Sequence, residues 1–295
     1  MFEQLGLIGC GLMGGSFAKA LKRAGLVNRV VGYSKSPSTT ERARQLGVID
    51  VEAPSALLAV AGADIVLVAV PVAATEATLK AIKHLVTPQM LIMDVGSTKA
   101  DVVQAARASL RDQIGSFVPA HPIAGREVSG VEHSDADLYT GKQVILTPTE
   151  RTLTAQLRRA EEVWSALGCR VSHMSPEAHD AAFAAVSHLP HMLAFSMMNS
   201  LTQQVRSDEL LSLAGPGFRD FTRIAASDPK MWRDVLRANR DEVLAQTRHF
   251  KDALAQFEKA LQGNDDQALE DLITLASHTR ANWRMGAQRT RKDDH

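Results

Sequence analysis

Residues 5–16, LGLIGCGLMGGS, decide the fold. Residues 5–8 predict a buried strand, and the glycines after it have the spacing Gly9-x-Gly11-x-x-Gly14 at the start of a helix; Leu12 and Met13, within this spacing, are also expected beside the cofactor. The first glycine permits a tight turn, the second a close approach to a pyrophosphate, and the third close contact between helix and strand. The stretch therefore predicts a dinucleotide site at a helix N-terminus, with a purely structural turn as the alternative.

The same stretch begins an alternation of short apolar runs and helix-like segments over residues 1–174. The alternation predicts an α/β fold, a Rossmann-type parallel sheet with helices on both faces. Strands are expected at residues 5–8, 29–33, 64–70, 90–95, 116–120, 143–147 and 169–173, and helices near 14–23, 37–46, 73–85, 99–110 and 153–167.

Residues 175–295 are predicted to form a second, all-helical domain. Helix-forming residues at helical spacing extend from Ser175 to about residue 288, with interruptions at Pro190, 215–217, 228–229 and 263–265. The helical faces carry more apolar residues than a bundle of this size can bury, so we expect this domain to form a homodimer. The charged end, residues 289–295, is expected to be disordered.

The amino-acid composition restricts the classes of molecule that the protein can bind. The 33 basic residues balance the 33 acidic ones, and aromatic residues make up 5%, which argues against a nucleic-acid or anionic membrane surface. Two distant cysteines favour a reducing compartment. The N-terminus does not have the pattern of a signal peptide, and the longest apolar run, residues 65–75, is shorter than the roughly 20 residues of a membrane span. We therefore predict a cytoplasmic protein that binds no nucleic acid or membrane.

The loop after the second strand bears on the choice of nicotinamide cofactor. An acid about 20 residues beyond the glycines would bind the ribose 2′-hydroxyl. Ser34, Lys35 and Ser36 lie there instead and can donate to a 2′-phosphate. This predicts NADP in preference to NAD, with NAD still possible and a solvated loop of no preference as the alternative. Val70 and Pro71, at another strand end, are also expected beside the cofactor.

Two polar side chains follow other strand ends. His121 can exchange a proton near neutral pH, and Ser97 can share the hydrogen bond of a substrate hydroxyl. Because His121 precedes a proline, it could equally be a turn residue whose side chain only hydrogen-bonds the backbone. Three further histidines, His179, His188 and His191, do not have the spacing of a metal site, so no metal is predicted.

Two arginines in the helical half lie four residues apart. Arg219 and Arg223 would share one helical face, where they either receive carboxylates or pair with Asp220 and Asp228. The residues alone leave both interpretations open.

Six motifs resemble, in order, those of the prephenate/arogenate dehydrogenase family: GLIGCGLMGGS, DVGSTK, HPIAGREVSGVEHSDADLY, ILTP, HDAAFAAVSHLPHMLA and GPGFRDFTRIAASDPKMW. The resemblance implies a nucleotide-binding domain, a helical dimerisation domain and an active site between them. It also implies oxidative decarboxylation of a cyclohexadienol, prephenate or arogenate, in tyrosine biosynthesis.

The resemblance assigns roles by position. His121 would take the proton of the ring 4-hydroxyl while hydride leaves the same carbon, Ser97 would share that hydroxyl, and Arg223 would bind the departing carboxylate. His191 would help to hold the substrate.

Three more positions follow from the same resemblance. Arg219 and Glu127 would lie at the entrance, and Asp180 would orient a neighbouring histidine. Three other protein classes stay open: a β-hydroxyacid dehydrogenase, which would need a catalytic lysine in the helical half, a pyrroline-carboxylate reductase, and a non-enzymatic NADP sensor.

Overall fold

The computed structural model describes residues 1–284. The chain divides into two compact units, Met1–Val243 and Leu244–His295. The sequence-based boundary after residue 174 lies within the first unit and stays a prediction. The disorder expected for residues 289–295 concerns residues outside the described part of the chain.

A six-stranded parallel sheet forms the centre of the first unit. Its order is β3-β2-β1-β4-β5-β6, so the direction of strand addition reverses between β1 and β4, where α/β sheets bind ligands. The predicted α/β Rossmann-type fold is confirmed. The strands are β1 (Phe2–Ile8), β2 (Val27–Tyr33), β3 (Val51–Glu52), β4 (Ile65–Val68), β5 (Leu91–Asp94) and β6 (Phe117–Val118).

Helices cover both faces of this sheet. Successive residues of β4 explain why the strands are apolar throughout: Ile65 and Leu67 join one buried cluster, while Val66 and Val68 join another. The helices of this part are α1 (Leu12–Arg23), α2 (Pro37–Gln45), α3 (Ala56–Val60), α4 (Thr75–Ile82), α5 (Ala100–Leu110) and α6 (Thr154–Ala166).

A second sheet contains the strands β7 (Ala120–Pro122), β8 (Gln143–Leu146) and β9 (Arg170–His173). The expectation of one strand at residues 116–120 was wrong, because Pro119 separates β6 from β7. Proline has no N–H for a ladder, and only its carbonyl is used, by the Thr147 N–H at 3.0 Å. The pairing of β7 with β8 is antiparallel, unlike the rest.

Helices follow β9, as predicted. In the first unit they are α7 (Pro176–Phe183), α8 (Leu189–Thr202), α9 (Ser207–Ser212), α10 (Pro216–Thr222) and α11 (Pro229–Ala238). Pro190 does not interrupt the helix as expected. A π-helical segment, Ala184–His188, connects α7 to α8, and its wider turns accommodate a proline that has no N–H to donate.

The helix α12 (Arg240–Gln262) begins at the end of the first unit, and α13 (Asp266–Asn282) belongs to the second. Between them the chain turns through Asn264, which has a φ of 48°. The Asp265 carboxylate then caps α13 by accepting from the Ala268 N–H at 3.0 Å.

Within the described residues, one helical stretch has the length and composition to cross a membrane: Pro176–Thr202, with a mean hydropathy of 1.2. Polar residues interrupt the apolar runs of this stretch, so the sequence pattern did not indicate it. Helices in protein cores meet the same criteria, so this is weak evidence for a membrane span.

Candidate active site

The glycine loop between β1 and α1 has the backbone that a dinucleotide requires. Gly9 has a φ of 100°, and a side chain there would collide with the Ala69 carbonyl, as one at Gly14 would with the Gly9 carbonyl. A Cβ on Gly11 would meet nothing within 4 Å, so this face of the loop is open. The loop therefore fits a pyrophosphate at the N-terminus of α1.

The neighbouring cofactor candidates flank this loop. Leu12 and Met13 are the first two residues of α1, so their backbone N–H groups have no acceptor within the helix and can bind an anion. Val70 and Pro71 follow β4, and the Val70 nitrogen lies beside Gly9. The candidates therefore come together at the carboxyl ends of β1 and β4.

The loop after β2 meets the glycine loop directly. The Ser34 hydroxyl oxygen accepts a hydrogen bond from the Cys10 N–H at 2.9 Å, and Ser34 N–H donates to Thr40 Oγ1 at 3.1 Å. Lys35 and Ser36 are exposed. The three residues therefore lie where the adenosine ribose of a dinucleotide would bind.

A chain of hydrogen bonds ends at His121 on β7. His121 Nδ1 lies 2.8 Å from His179 Nε2, and His179 Nδ1 lies 2.7 Å from Asp180 Oδ1. The Asp180 carboxylate also accepts from the N–H groups of Lys99 at 2.8 Å and Ala100 at 2.9 Å. These backbone donors at the start of α5 hold the carboxylate in place.

This order of bonds determines the tautomer of His121. An acceptor-only carboxylate requires a proton on His179 Nδ1, so His179 Nε2 must accept from His121 Nδ1–H. His121 Nε2 is then the unprotonated nitrogen, which is the form of a general base. We refer to Asp180, His179 and His121 as the histidine relay.

Electrostatics keep His121 neutral. Burial lowers its pKa well below the ordinary value, and the positive charge that His179, Lys99 and His188 carry or can acquire lowers it further. Burial also lowers the pKa of His179, although its hydrogen bond to Asp180 opposes this shift. At neutral pH the half-buried His121 can therefore accept a proton.

Ser97 lies in the loop after β5, half-buried. Its backbone is close to the imidazole of His188, which is 1% exposed and lies at the end of the π segment. His188 Nδ1 is 3.1 Å from Asn239 Nδ2, while its Nε2 makes no hydrogen bond of normal geometry. Burial lowers the pKa of His188 to about 4, so it is a neutral packing residue.

A second group lies on α8, α10 and α11. His191 stacks on Trp232 with ring centroids 3.6 Å apart, and its Nδ1 donates to the Ser187 carbonyl at 2.9 Å. Burial lowers the pKa of His191 and the nearby Arg223 cation lowers it further, while the bond to the Ser187 carbonyl and the Glu127 carboxylate oppose this shift. His191 Nε2 is therefore an acceptor at neutral pH.

Arg223 forms an ion pair with Glu127, and both side chains are exposed. Arg219 instead pairs with its neighbour Asp220 at 3.1 Å, and its side chain is 76% exposed. Asp228 caps α11 by accepting from the Met231 N–H at 2.7 Å, and the partners of the two arginines are Asp220 and Glu127 instead. Arg223 is thus near His191, whereas Arg219 stays on the outer surface.

Sequence reasoning missed two residues of this region, Trp232 and Asn239, and the hydrogen bond that links His179 to His121. Trp232 was within a quoted motif, and a large aromatic beside charged residues was a usable signal. Nothing in the local sequence marked Asn239, whose amide also donates to the Asp180 carbonyl at 2.7 Å.

Comparison with known proteins gives matches along most of the chain. Residues 17–173 match the model of the prephenate dehydrogenase nucleotide-binding domain, and residues 175–275 match that of the prephenate dehydrogenase dimerization domain. The cyclohexadienyl dehydrogenase of Zymomonas mobilis is 32% identical over 91% of this chain and 92% of its own length. The prephenate dehydrogenase of Bacillus subtilis is 37% identical over 83% of this chain and 66% of its own length.

A solved structure is similar over nearly the whole chain. Prephenate dehydrogenase from Aquifex aeolicus, in complex with hydroxyphenyl propionate and NAD⁺, superimposes with a TM-score of 0.87 at 36% identity, covering 95% of this chain and 98% of that one.

Proposed function

Because the chain belongs to the prephenate dehydrogenase family, we propose that it converts prephenate to 4-hydroxyphenylpyruvate and carbon dioxide in tyrosine biosynthesis, with a nicotinamide dinucleotide as oxidant. The observation that carries the proposal is the histidine relay, which presents an unprotonated His121 Nε2. An NADP-binding sensor would have no use for such a base, whereas the oxidation of an alcohol requires one.

His121 is the proposed general base. It accepts the proton of the ring 4-hydroxyl as the hydride leaves the same carbon, and Ser97 shares the hydrogen bond of that hydroxyl. When bound, the nicotinamide supplies the hydride acceptor. His121 returns the proton to the ring oxygen as the ring carboxyl leaves as carbon dioxide and its bonding electrons enter the ring. Atoms and charge balance without another reactant.

Arg223 is the proposed partner of the departing carboxylate. In the structure the Arg223 guanidinium is paired with Glu127. A substrate carboxylate must therefore displace Glu127 or share the guanidinium with it. The proximity of His191 to this ion pair supports a role in holding the substrate. Arg219 is proposed to lie at the entrance, consistent with its exposure. Asp180 acts only through His179.

Purified enzyme with prephenate tests the proposal. We expect equal amounts of reduced nicotinamide, measured by its ultraviolet absorbance, and 4-hydroxyphenylpyruvate, measured by chromatography. 3-Hydroxyisobutyrate should give neither product. No turnover of prephenate or arogenate would contradict the proposal.

Arogenate is a second candidate substrate, because the solved structure of Synechocystis arogenate dehydrogenase superimposes on this chain with a TM-score of 0.80 at 26% identity. His191 Nε2, an acceptor at neutral pH, can receive a hydrogen bond from the arogenate ammonium. The ratio of kcat/KM for the two substrates decides between them.

NADP is the proposed preferred cofactor, with NAD as the alternative. Ser34 Oγ accepts from Cys10 N–H, which leaves its own O–H to donate to a 2′-phosphate, and Lys35 adds a cation. Residues 34–40 contain no carboxylate to repel the phosphate. We expect the native kcat/KM to be higher with NADP than with NAD.

The protein is proposed to act as a homodimer. The match to a dimerization domain supports this assembly, as do exposed apolar side chains on α12 and α13, namely Leu254, Leu261, Ile273 and Leu275. Light scattering at micromolar concentration should give about twice the 31.9 kDa chain mass. A monomer would contradict it. We also propose that the protein is cytoplasmic, in agreement with its two unpaired cysteines.

A further inference from the structure

Lys99 is the most deeply buried charged residue near the relay. Its side chain is 0% exposed and forms an ion pair with Asp94, which is 2% exposed. Asp94 is the last residue of β5, and Lys99 immediately precedes α5. Burial of two charges costs free energy that their attraction does not always recover, so stability alone is a weak explanation for the pair.

The pair binds both backbone polar groups of Ala120, the residue before His121. Asp94 Oδ1 accepts from the Ala120 N–H at 3.0 Å, and Lys99 Nζ donates to the Ala120 carbonyl at 2.9 Å. β7 is an edge strand of the second sheet, so the two side chains occupy the place of a neighbouring strand. They thereby connect the start of β7 to the end of β5.

The backbone of Lys99 reaches the other end of the relay. Its N–H donates to Asp180 Oδ1, the atom that also binds His179. One residue therefore holds the strand that carries His121 and the carboxylate that orients its partner.

We propose that Asp94 and Lys99 are positioning residues for the reaction: the buried ion pair fixes β7 at Ala120 so that the His121 imidazole meets both His179 and the substrate hydroxyl. This inference rests on the proposed function for its kinetic consequences. The Lys99 ammonium has a second effect, because its positive charge contributes to the low pKa of His121. The other ionisable groups that face His121 are His179, which Asp180 orients, and His188.

The test is the double variant Lys99→Met with Asp94→Asn, which removes both charges together and leaves no unpaired buried ion. We expect it to fold and to bind the cofactor with a Kd within about threefold of the native value. Its kcat should fall about 10- to 100-fold, the scale of a misplacement of about 1 Å, with KM changed less than about threefold. The acid limb of kcat/KM should move to higher pH, because Lys99, and not Asp94, is the member of the pair whose charge lowers the pKa of His121.

A matched control lies beside β2, near the opposite edge of the main sheet from β5. Lys22 Nζ donates to Asp50 Oδ1 at 2.7 Å and to the Gly47 carbonyl, and Asp50 accepts from the Val30 N–H. This pair has the same donor pattern but is partly exposed. Lys22→Met with Asp50→Asn should leave kcat and the pH profile unchanged.

Titration of the imidazole by NMR tests the inference without turnover. With ¹³C-labelled histidine, the His121 resonance is assigned by its loss in His121→Asn, and it should titrate at higher pH in the double variant than in native protein. Native protein that oxidises neither prephenate nor arogenate would contradict the proposed function and leave this titration as the test of positioning. A double variant with kcat within threefold of native, or with an unmoved His121 titration, would overturn the inference. Failure of the double variant to fold would also overturn it, since the pair would then serve stability.

Discussion

Replacement of His179 by phenylalanine isolates the contribution of the histidine relay to catalysis. The His179 ring is fully buried and stacks on Phe183 with centroids 4.4 Å apart, so phenylalanine preserves the aromatic packing. Asp180 keeps the N–H donors of Lys99 and Ala100. The variant therefore removes two bonds, the 2.8 Å bond to His121 and the 2.7 Å bond to Asp180, and only the first of them touches the general base.

The size of the effect follows from the change in that bond during the reaction. In the ground state it joins two neutral rings, and such bonds contribute about 0.5–1.5 kcal/mol. When His121 carries the substrate proton the donor is cationic, and the contribution rises to about 1.5–3 kcal/mol. Only the difference, about 1–2 kcal/mol, lowers the barrier, so kcat should fall about 5- to 30-fold.

Steady-state kinetics with prephenate measure this effect. KM should change less than about twofold, because His179 lies behind His121. His179→Gln should recover part of kcat, since its amide oxygen can accept from His121 Nδ1. His173→Phe is the control, a histidine paired with Glu161 on the surface. A His179→Phe enzyme with native kcat, or one in which KM changes more than kcat, would refute the reasoning.

Three further predictions concern other parts of the molecule. Arg223→Ala should raise KM, because it removes the partner of the substrate carboxylate. The rise should be only about 5- to 30-fold, roughly 1–2 kcal/mol, since water screens the exposed guanidinium. Arg223→Lys should recover part of the loss, and an unchanged KM in Arg223→Ala would exclude the role. Ser34→Asp should shift the kcat/KM ratio toward NAD; a native enzyme that already prefers NAD would contradict the prediction for this loop. His188 has a pKa of about 4 in the folded protein, against 6.5 for an ordinary histidine in the unfolded chain. The unfolded chain therefore binds the proton first as pH falls. The free energy of unfolding, measured in urea, should decrease by roughly 3 kcal/mol between pH 6.5 and pH 4. His188→Gln should reduce that pH dependence, and an equal dependence in the variant would rule out this assignment.

The sequence predicted the features that depend on local pattern. The glycine loop could be identified because each glycine meets a backbone requirement within ten residues, as the φ of Gly9 illustrates. The strands of the main sheet were found because both of their faces are buried. The two-residue strand β3 and the five-residue helix α3 were too short for a periodic signal.

The features that depend on contact between distant residues could not be predicted. His121 and His179 are 58 positions apart, and their hydrogen bond exists only because β7 and α7 meet. A lysine in DVGSTK gives no sign that it is fully buried, since lysine is ordinarily exposed. The sequence also gives no sign that the Arg223 side chain is exposed and already paired with Glu127, 96 positions away.

His121→Asn tests the central claim, that this side chain takes the substrate proton. With prephenate and saturating cofactor, kcat should fall about 10²- to 10⁴-fold while KM changes little, because asparagine can hydrogen-bond the hydroxyl but cannot accept its proton at neutral pH. The native kcat/KM should stay level through neutral pH and fall only at pH well below 6.5, since burial lowers the pKa of His121 and a protonated ring accepts no proton. That acid limb should disappear in the variant. A His121→Asn enzyme with native kcat, or one that retains the same acid limb, would contradict the account.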